Sequence, residues 1–199
     1  EEVSRVRDIA NKIGVKTEFA DLPDGANGKY LNGTIYINRN INNLTSESPV
    51  REIFKHELTH HIENSENYGE FQNFVIKDIQ KDSGSVDDLI KIIQDNNAKV
   101  GNQLDYEGAK KELVADYVSN RLFTSEKDIA RLSAQKPNIA QRIVQWIKDT
   151  VAKIKGTPEE RFLLEAQRKY EKALRTVDVS KGDGKAKCYI KTDTDNNKV

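Results

Sequence analysis

The chain has 199 residues, 32% of them charged, and a mean hydropathy of -0.74, so it is a polar chain still long enough to bury a core. Lys+Arg 32 against Asp+Glu 32 gives a net charge of +0, which leaves no global field to draw in nucleic acid or an anionic membrane. No apolar run approaches the roughly 18 residues that a membrane helix needs, so neither a spanning segment nor a nucleic-acid partner is expected.

The chain starts at Glu1, contains no Met, and lacks the basic-then-apolar pattern of a signal peptide. It reads as a piece of a longer multidomain polypeptide, and a cytoplasmic setting is the expectation. A single cysteine, Cys188, excludes an internal disulfide framework and fits a reducing compartment. It lies in a polar tail far in sequence from any histidine, which argues against a nucleophile.

In chain order, Glu2 to Ile13 reads as an amphipathic helix, with Val3, Val6, Ile9, Ala10 and Ile13 at helical spacing and Gly14 as its stop. Val15 to Leu22 reads as extended. After the turn-rich Pro23 to Gly28, the segments Lys29 to Leu31 and Thr34 to Asn38 flank Asn32 and Gly33, the preferred pair for a tight hairpin. Three strands thus precede the histidines, and Thr34 to Asn38 is expected at the edge of a small sheet, open to an extended peptide.

Ser48 suits a helix cap and Pro49 a first helical position, and the helix that follows carries Val50, Ile53, Phe54, Leu58 and Ile62 inward. Further helices are expected over Phe71 to Gln80, over Ser85 to about Asn97 with Leu89, Ile90, Ile92 and Ile93 on the apolar side, and from about Asp105 to Phe123. Ser125 to Ser133 follows, then Asn138 to Lys155, ended by Gly156, and Pro158 to about Thr176; the last two form a hairpin by this reading. Ser180 to Lys185 signals a flexible linker, and Cys188 to Val199 resembles a strand and turn. Asp193, Asp195 and Asn197 resemble the start of a calcium loop, but Lys198 stands where glycine is required, so calcium is not expected.

All three histidines fall within His56, His60 and His61. On a helix His56 and His60 lie one turn apart on the same face and can reach a single ion, with Glu57 beside them. A catalytic zinc takes three protein ligands and keeps a fourth position for water, whose pKa it lowers; a neighbouring carboxylate can take that water's proton and hand it to the leaving amine. Glu57 is placed for that role. The bland alternative is a chance pattern on a charged surface helix, against which the apolar flanks Ile53, Phe54, Leu58 and Ile62 indicate a helix packed into a core.

His61 points about 100° away from His60 and cannot share the ion, so the third ligand comes from elsewhere. Two carboxylates compete. Glu66 follows closely, but reaching back from it needs a sharp turn near Glu63, where glycine would be expected. Glu112 forms with Asp116 a pair one helical turn apart, with small Ala115 nearby to permit close helix approach, and is the better choice. In that arrangement Glu112 binds the ion and Asp116 accepts the free N–H of a ligating histidine. The plain alternative is an amphipathic helix with two solvated acids, its buried side being Leu113, Val114, Tyr117, Val118 and Leu122.

The sequence HELTH at His56 to His60 followed by ELVAD at Glu112 to Asp116 resembles the gluzincin metallopeptidases, whose pattern is HExxH followed by ExxxD. The resemblance implies His56, His60 and Glu112 as zinc ligands, Glu57 as general base and acid, and Asp116 behind a histidine, His56. It also implies an upper-rim edge strand holding the substrate, a place that Thr34 to Asn38 would take. The long interval between His60 and Glu112 departs from the pattern and must hold extra helices. More loosely, the order of NGTIYIN, HELTHHIE, KKELVADYV and the helix containing Trp146 is similar to peptidase-like domains of large multidomain proteins from bacterial mobile elements and phages.

The expectation is therefore an α+β, mostly helical zincin-like domain with a small N-terminal sheet and a C-terminal helical hairpin. Residues 1–135 would form the metallopeptidase domain, 136–176 the hairpin packed on it, and 177–199 a linker and the start of a following region. The expected activity is zinc-dependent hydrolysis of a peptide or protein substrate. The alternative is a peptidase-like metal-binding module with a binding or structural role in a larger protein.

Overall fold

A computed structural model describes residues 2–22, 28–31, 34–39, 49–99 and 101–177. Helix α1 (Glu2–Ile13) buries Val6, Ile9 and Ala10 completely and ends at Gly14, whose φ of +83° is open to glycine and strained for residues with a side chain. Strands β1 (Thr17–Ala20), β2 (Gly28–Leu31) and β3 (Thr34–Asn38) form one mixed sheet in the order β1-β3-β2. The Asn32 and Gly33 turn lies outside the described residues.

The expectation that Thr34 to Asn38 is an edge strand is corrected here. β3 is central, parallel to β1 with Thr17 opposite Ile35 and antiparallel to β2 with Tyr30 opposite Ile35, so both of its edges are occupied. The physical reason is that β1, from earlier in the chain, pairs in parallel along the edge that β2 leaves open. Thr34, Ile35, Ile37 and Asn38 are all buried, so both faces of the strand are covered as well.

Helix α2 (Pro49–Glu63) presents Val50, Ile53, Phe54, Leu58 and Ile62 to the core, each completely buried. Burial at about 1.5–3 kcal/mol for each such side chain is what fixes the rotation of α2 about its axis, and with it the direction of the histidines. Helices α3 (Tyr68–Ser83), α4 (Val86–Lys99) and α5 (Tyr106–Tyr117) follow. Ile92 of α4, expected on the apolar side, is 53% exposed; Ile90 carries the burial instead. α5 is started by Asp105, whose carboxylate accepts the Gly108 N–H at 2.7 Å. It runs into a π-helical turn, Val118–Leu122, and Leu113, Val114, Tyr117, Val118 and Leu122 are buried as their spacing indicates.

Helix α6 (Glu126–Gln135) is capped by Ser125, and α7 (Pro137–Lys153) and α8 (Pro158–Thr176) each begin on a proline. α7 and α8 pack on each other as a hairpin whose apolar side belongs to the same core as α1, α2 and α5. Trp146 of α7 is the joint: its ring lies edge-on to Phe54 of α2 with centroids 6.2 Å apart, and 6.1 Å from Phe123 beyond the π turn. Tyr170 of α8, wholly buried, donates its hydroxyl to the Leu122 carbonyl at 2.9 Å, satisfying an acceptor at the end of the π turn. The fold is thus mostly helical α+β. Among the described residues no helix is long and apolar enough to cross a membrane. The linker and strand expected after position 177, with Cys188 and the Asp193 to Lys198 loop, lie outside the described residues, as does Ser48.

Candidate functional site

The five apolar residues that α2 buries leave a half-buried face carrying Lys55, His56, Glu57 and His60. On it the imidazoles of His56 and His60 meet edge to face, with centroids 4.1 Å apart, and the two Nε2 atoms approach to 2.7 Å. A tetrahedral zinc with Zn–N bonds of about 2.0–2.1 Å keeps two nitrogens roughly 3.3 Å apart, so the rings converge slightly beyond that spacing. His61 is exposed, and its charged neighbours are Arg142 and Asp149 of α7.

α5 is clasped against α2 at two points. Lys55 Nζ donates to Asp116 Oδ1 at 2.8 Å, and Lys111 Nζ lies 3.3 Å from Glu63 Oε1. Position 55 therefore faces 116 while position 63 faces 111, so the two helices run antiparallel and the segment from His56 to His60 lies alongside the segment from Glu112 to Asp116. Glu112 is half-buried on that helix. Asp116, expected behind a histidine, is paired with Lys55, the residue next to His56. The competing Glu66 is exposed in a turn over positions 64–67. That turn is closed by the Asn64 N–H, which bonds the His60 carbonyl, and by Ser65 Oγ, which donates to the Ile62 carbonyl at 2.6 Å.

Burial raises the Glu57 carboxyl above its ordinary pKa, against the opposing charges of His60 and Lys153. That direction makes it a better base than a solvated carboxylate. Burial, then the neighbouring His60 and Lys55, hold the His56 imidazole down to about 4, so it is neutral and able to donate its lone pair at pH 7. The donor set fits zinc in kind and in two positions, with the Nε2 atoms of two imidazoles converging on one point. Among the described residues no three His, Cys, Asp or Glu side chains are gathered closely enough to hold an ion, and it is the helix register that places Glu112 alongside the two histidines.

Three site residues escape a reading of motifs. Glu63 accepts from His60 Nδ1 at 3.1 Å, a contact that the i, i+3 spacing on a helix would have signalled. Lys55 and Lys111 gave no signal, since their pairing depends on the register of two helices about fifty residues apart in sequence. A cavity of about 590 Å³ between α3 and α6 is lined by none of the candidate site residues. Its Arg131 and Lys136 are already paired with Asp78 and Glu70.

The depressed His56 pKa has a consequence for the metal-free protein. The unfolded chain takes up the proton near pH 6.5 and the folded chain only near 4, so this contribution to stability is complete above about 6.5 and is lost as pH falls toward 4. About 1–2 kcal/mol is expected to be at stake, below the full shift because the ring is partly exposed. Urea unfolding of chelator-treated protein between pH 7.5 and 5 measures it. Stability should fall more steeply in wild type than in His56→Asn, and identical pH slopes would show that burial of this ring has no such effect.

Compared with protein-family models, curated proteins and solved structures, the chain has no significant match in any of the three.

Proposed function

We propose that the chain is a zinc-dependent metallopeptidase of gluzincin type on a zincin-like fold, hydrolysing peptide bonds in a peptide or protein substrate. The observation that carries this reading is the antiparallel clasp of α2 and α5, which sets the converging Nε2 atoms of His56 and His60 alongside the helical segment bearing Glu112. His56, His60 and Glu112 would hold the ion. A zinc bound there supplies Lewis acidity, lowering the pKa of a water and polarising the scissile carbonyl.

The chain's own residues do the rest. Glu57 takes the proton of the attacking water and passes it to the leaving amine, and its half-buried setting raises its basicity for that work. Asp116 holds α5 to α2 through Lys55, at the end of the site where His56 stands. An extended substrate would add to one of the outer strands, β1 or β2, since β3 has no open edge. A place for the domain within a larger polypeptide of a mobile element or phage suits this reading.

The test is metal analysis of protein purified without chelator, together with a peptide-library cleavage screen. About one zinc per chain and chelator-sensitive cleavage are expected. Protein without zinc removes the peptidase reading, and zinc without cleavage of any library member favours a metal-binding module instead. Asp116→Ala is expected to weaken zinc binding by roughly 10–100-fold in a chelator competition, because the clasp beside His56 is lost. Unchanged affinity would mean that Asp116 does not support the site.

A further inference from the structure

Glu63 is the last residue of α2, and its carboxylate is 18% exposed. It accepts from donors on three helices: His60 Nδ1 of α2 at 3.1 Å, the Lys111 ammonium of α5 at 3.3 Å, and the hydroxyl of Tyr68 at the start of α3. Tyr68 in turn accepts from Gln72 at 3.4 Å. An isolated i, i+3 ion pair on a helix surface would contribute little. A mostly buried carboxylate held by an imidazole, an ammonium and a phenol has little rotamer freedom left, and so it can hold another side chain in place.

We propose that Glu63 is the positioning residue for His60, a role that rests on the reading of His60 as a metal ligand. The carboxylate can only accept, so the contact places the imidazole proton on Nδ1 and leaves the lone pair of Nε2 directed at His56. The ring contact in the metal-free protein then runs one way: His60 Nε2 accepts and His56 Nε2–H donates. Lys111 adjoins Glu112, so the same carboxylate also joins the helix that presents two ligands to the helix that presents the third. The HExxH motif fixes which residues ligate, and Glu63, three positions beyond it, fixes how one of them faces.

Two measurements on the full chain test this, one of them without metal. In the metal-free wild type, long-range proton–nitrogen NMR of ¹⁵N-histidine protein should show the His60 proton on Nδ1, and Glu63→Ala should lose that preference. In zinc titrations against a competing chelator, Glu63→Ala should bind roughly 10–100-fold more weakly, while Glu63→Gln, which keeps an acceptor for Nδ1–H, should recover most of the loss. A His60 proton on Nε2 in the wild type, or a folded Glu63→Ala that binds zinc within twofold of wild type, overturns the proposal. If Glu63→Ala fails to fold, the wild-type tautomer and the Glu63→Gln affinity decide. A wild type that binds no zinc overturns the peptidase reading alone, and the tautomer then decides whether Glu63 orients the ring.

Discussion

Glu57→Gln is expected to keep its zinc and lose cleavage by roughly 10²–10⁴-fold, the range that general acid–base catalysis contributes. The substitution is nearly isosteric, and on a helix position 57 lies about 100° round from position 56, so the amide is expected to leave the ligand set untouched. What it removes is the capacity to take a proton and return it. The wild-type carboxyl is tuned for this in one direction: burial lifts its pKa, and the nearby His60 and Lys153 limit the rise. That direction makes it more basic than a solvated glutamate. At 1.36 kcal/mol per decade the expected loss corresponds to about 2.7–5.4 kcal/mol of transition-state stabilisation. Steady-state cleavage of a peptide from the library screen, beside zinc stoichiometry of the same preparation, reads both halves. A variant within tenfold of wild type would remove Glu57 from the mechanism, and loss of zinc with activity would make it a ligand.

Much of this site was legible because helical periodicity translates directly into faces. The spacing of Ile53, Phe54, Leu58 and Ile62 was enough to orient α2, and all four are wholly buried. The histidines then had one direction left to point. The same held for α5, where the buried side from Leu113 to Leu122 left Glu112 and Asp116 at the half-buried border. Local signals placed the helix starts at Pro137 and Pro158 and the stop at Gly14 for similar reasons: each rests on the backbone preference of one residue.

What stayed hidden depends on contacts between distant segments. β3 has the sequence TIYIN, which suits an edge or a centre equally well until it is known that β1 returns parallel along its other side. Bringing Glu66 back to the histidines was expected to need a glycine near Glu63, and the turn that forms instead, closed by bonds from Ser65 and Asn64, leaves Glu66 exposed. The partners of Asp116 were invisible for a further reason. A carboxylate beside a metal motif invites a histidine as partner, whereas the register of the two helices brings Lys55 to it first. Charged residues make up 32% of the chain, so sequence alone offers too many possible pairs to choose among.

Asp78→Ala is expected to destabilise the protein by about 3–5 kcal/mol, as does breaking a buried ion pair by removing one partner. Asp78 of α3 is only 3% exposed and accepts from the Tyr117 hydroxyl and from Arg131, with Arg121 at 3.8 Å. Alanine would leave the Tyr117 hydroxyl facing Arg131 alone and Arg131 held by Asp128 alone. For a chain of this size, with roughly 2–4 °C per kcal/mol, melting should fall by about 6–20 °C. Tyr117 directly follows Asp116, so this network also sets the rotation of α5 at the end where the helix passes into the π turn. The loss of stability should therefore come with weaker zinc binding, measured well below the lowered melting temperature, although Asp78 touches no candidate ligand. Asp78→Asn, which keeps an acceptor for Tyr117 and removes the charge, should fall between alanine and wild type. A melting temperature for Asp78→Ala within about 2 °C of wild type would show that Tyr117 and Arg131 find other partners, and that α5 is held in phase by its apolar side alone.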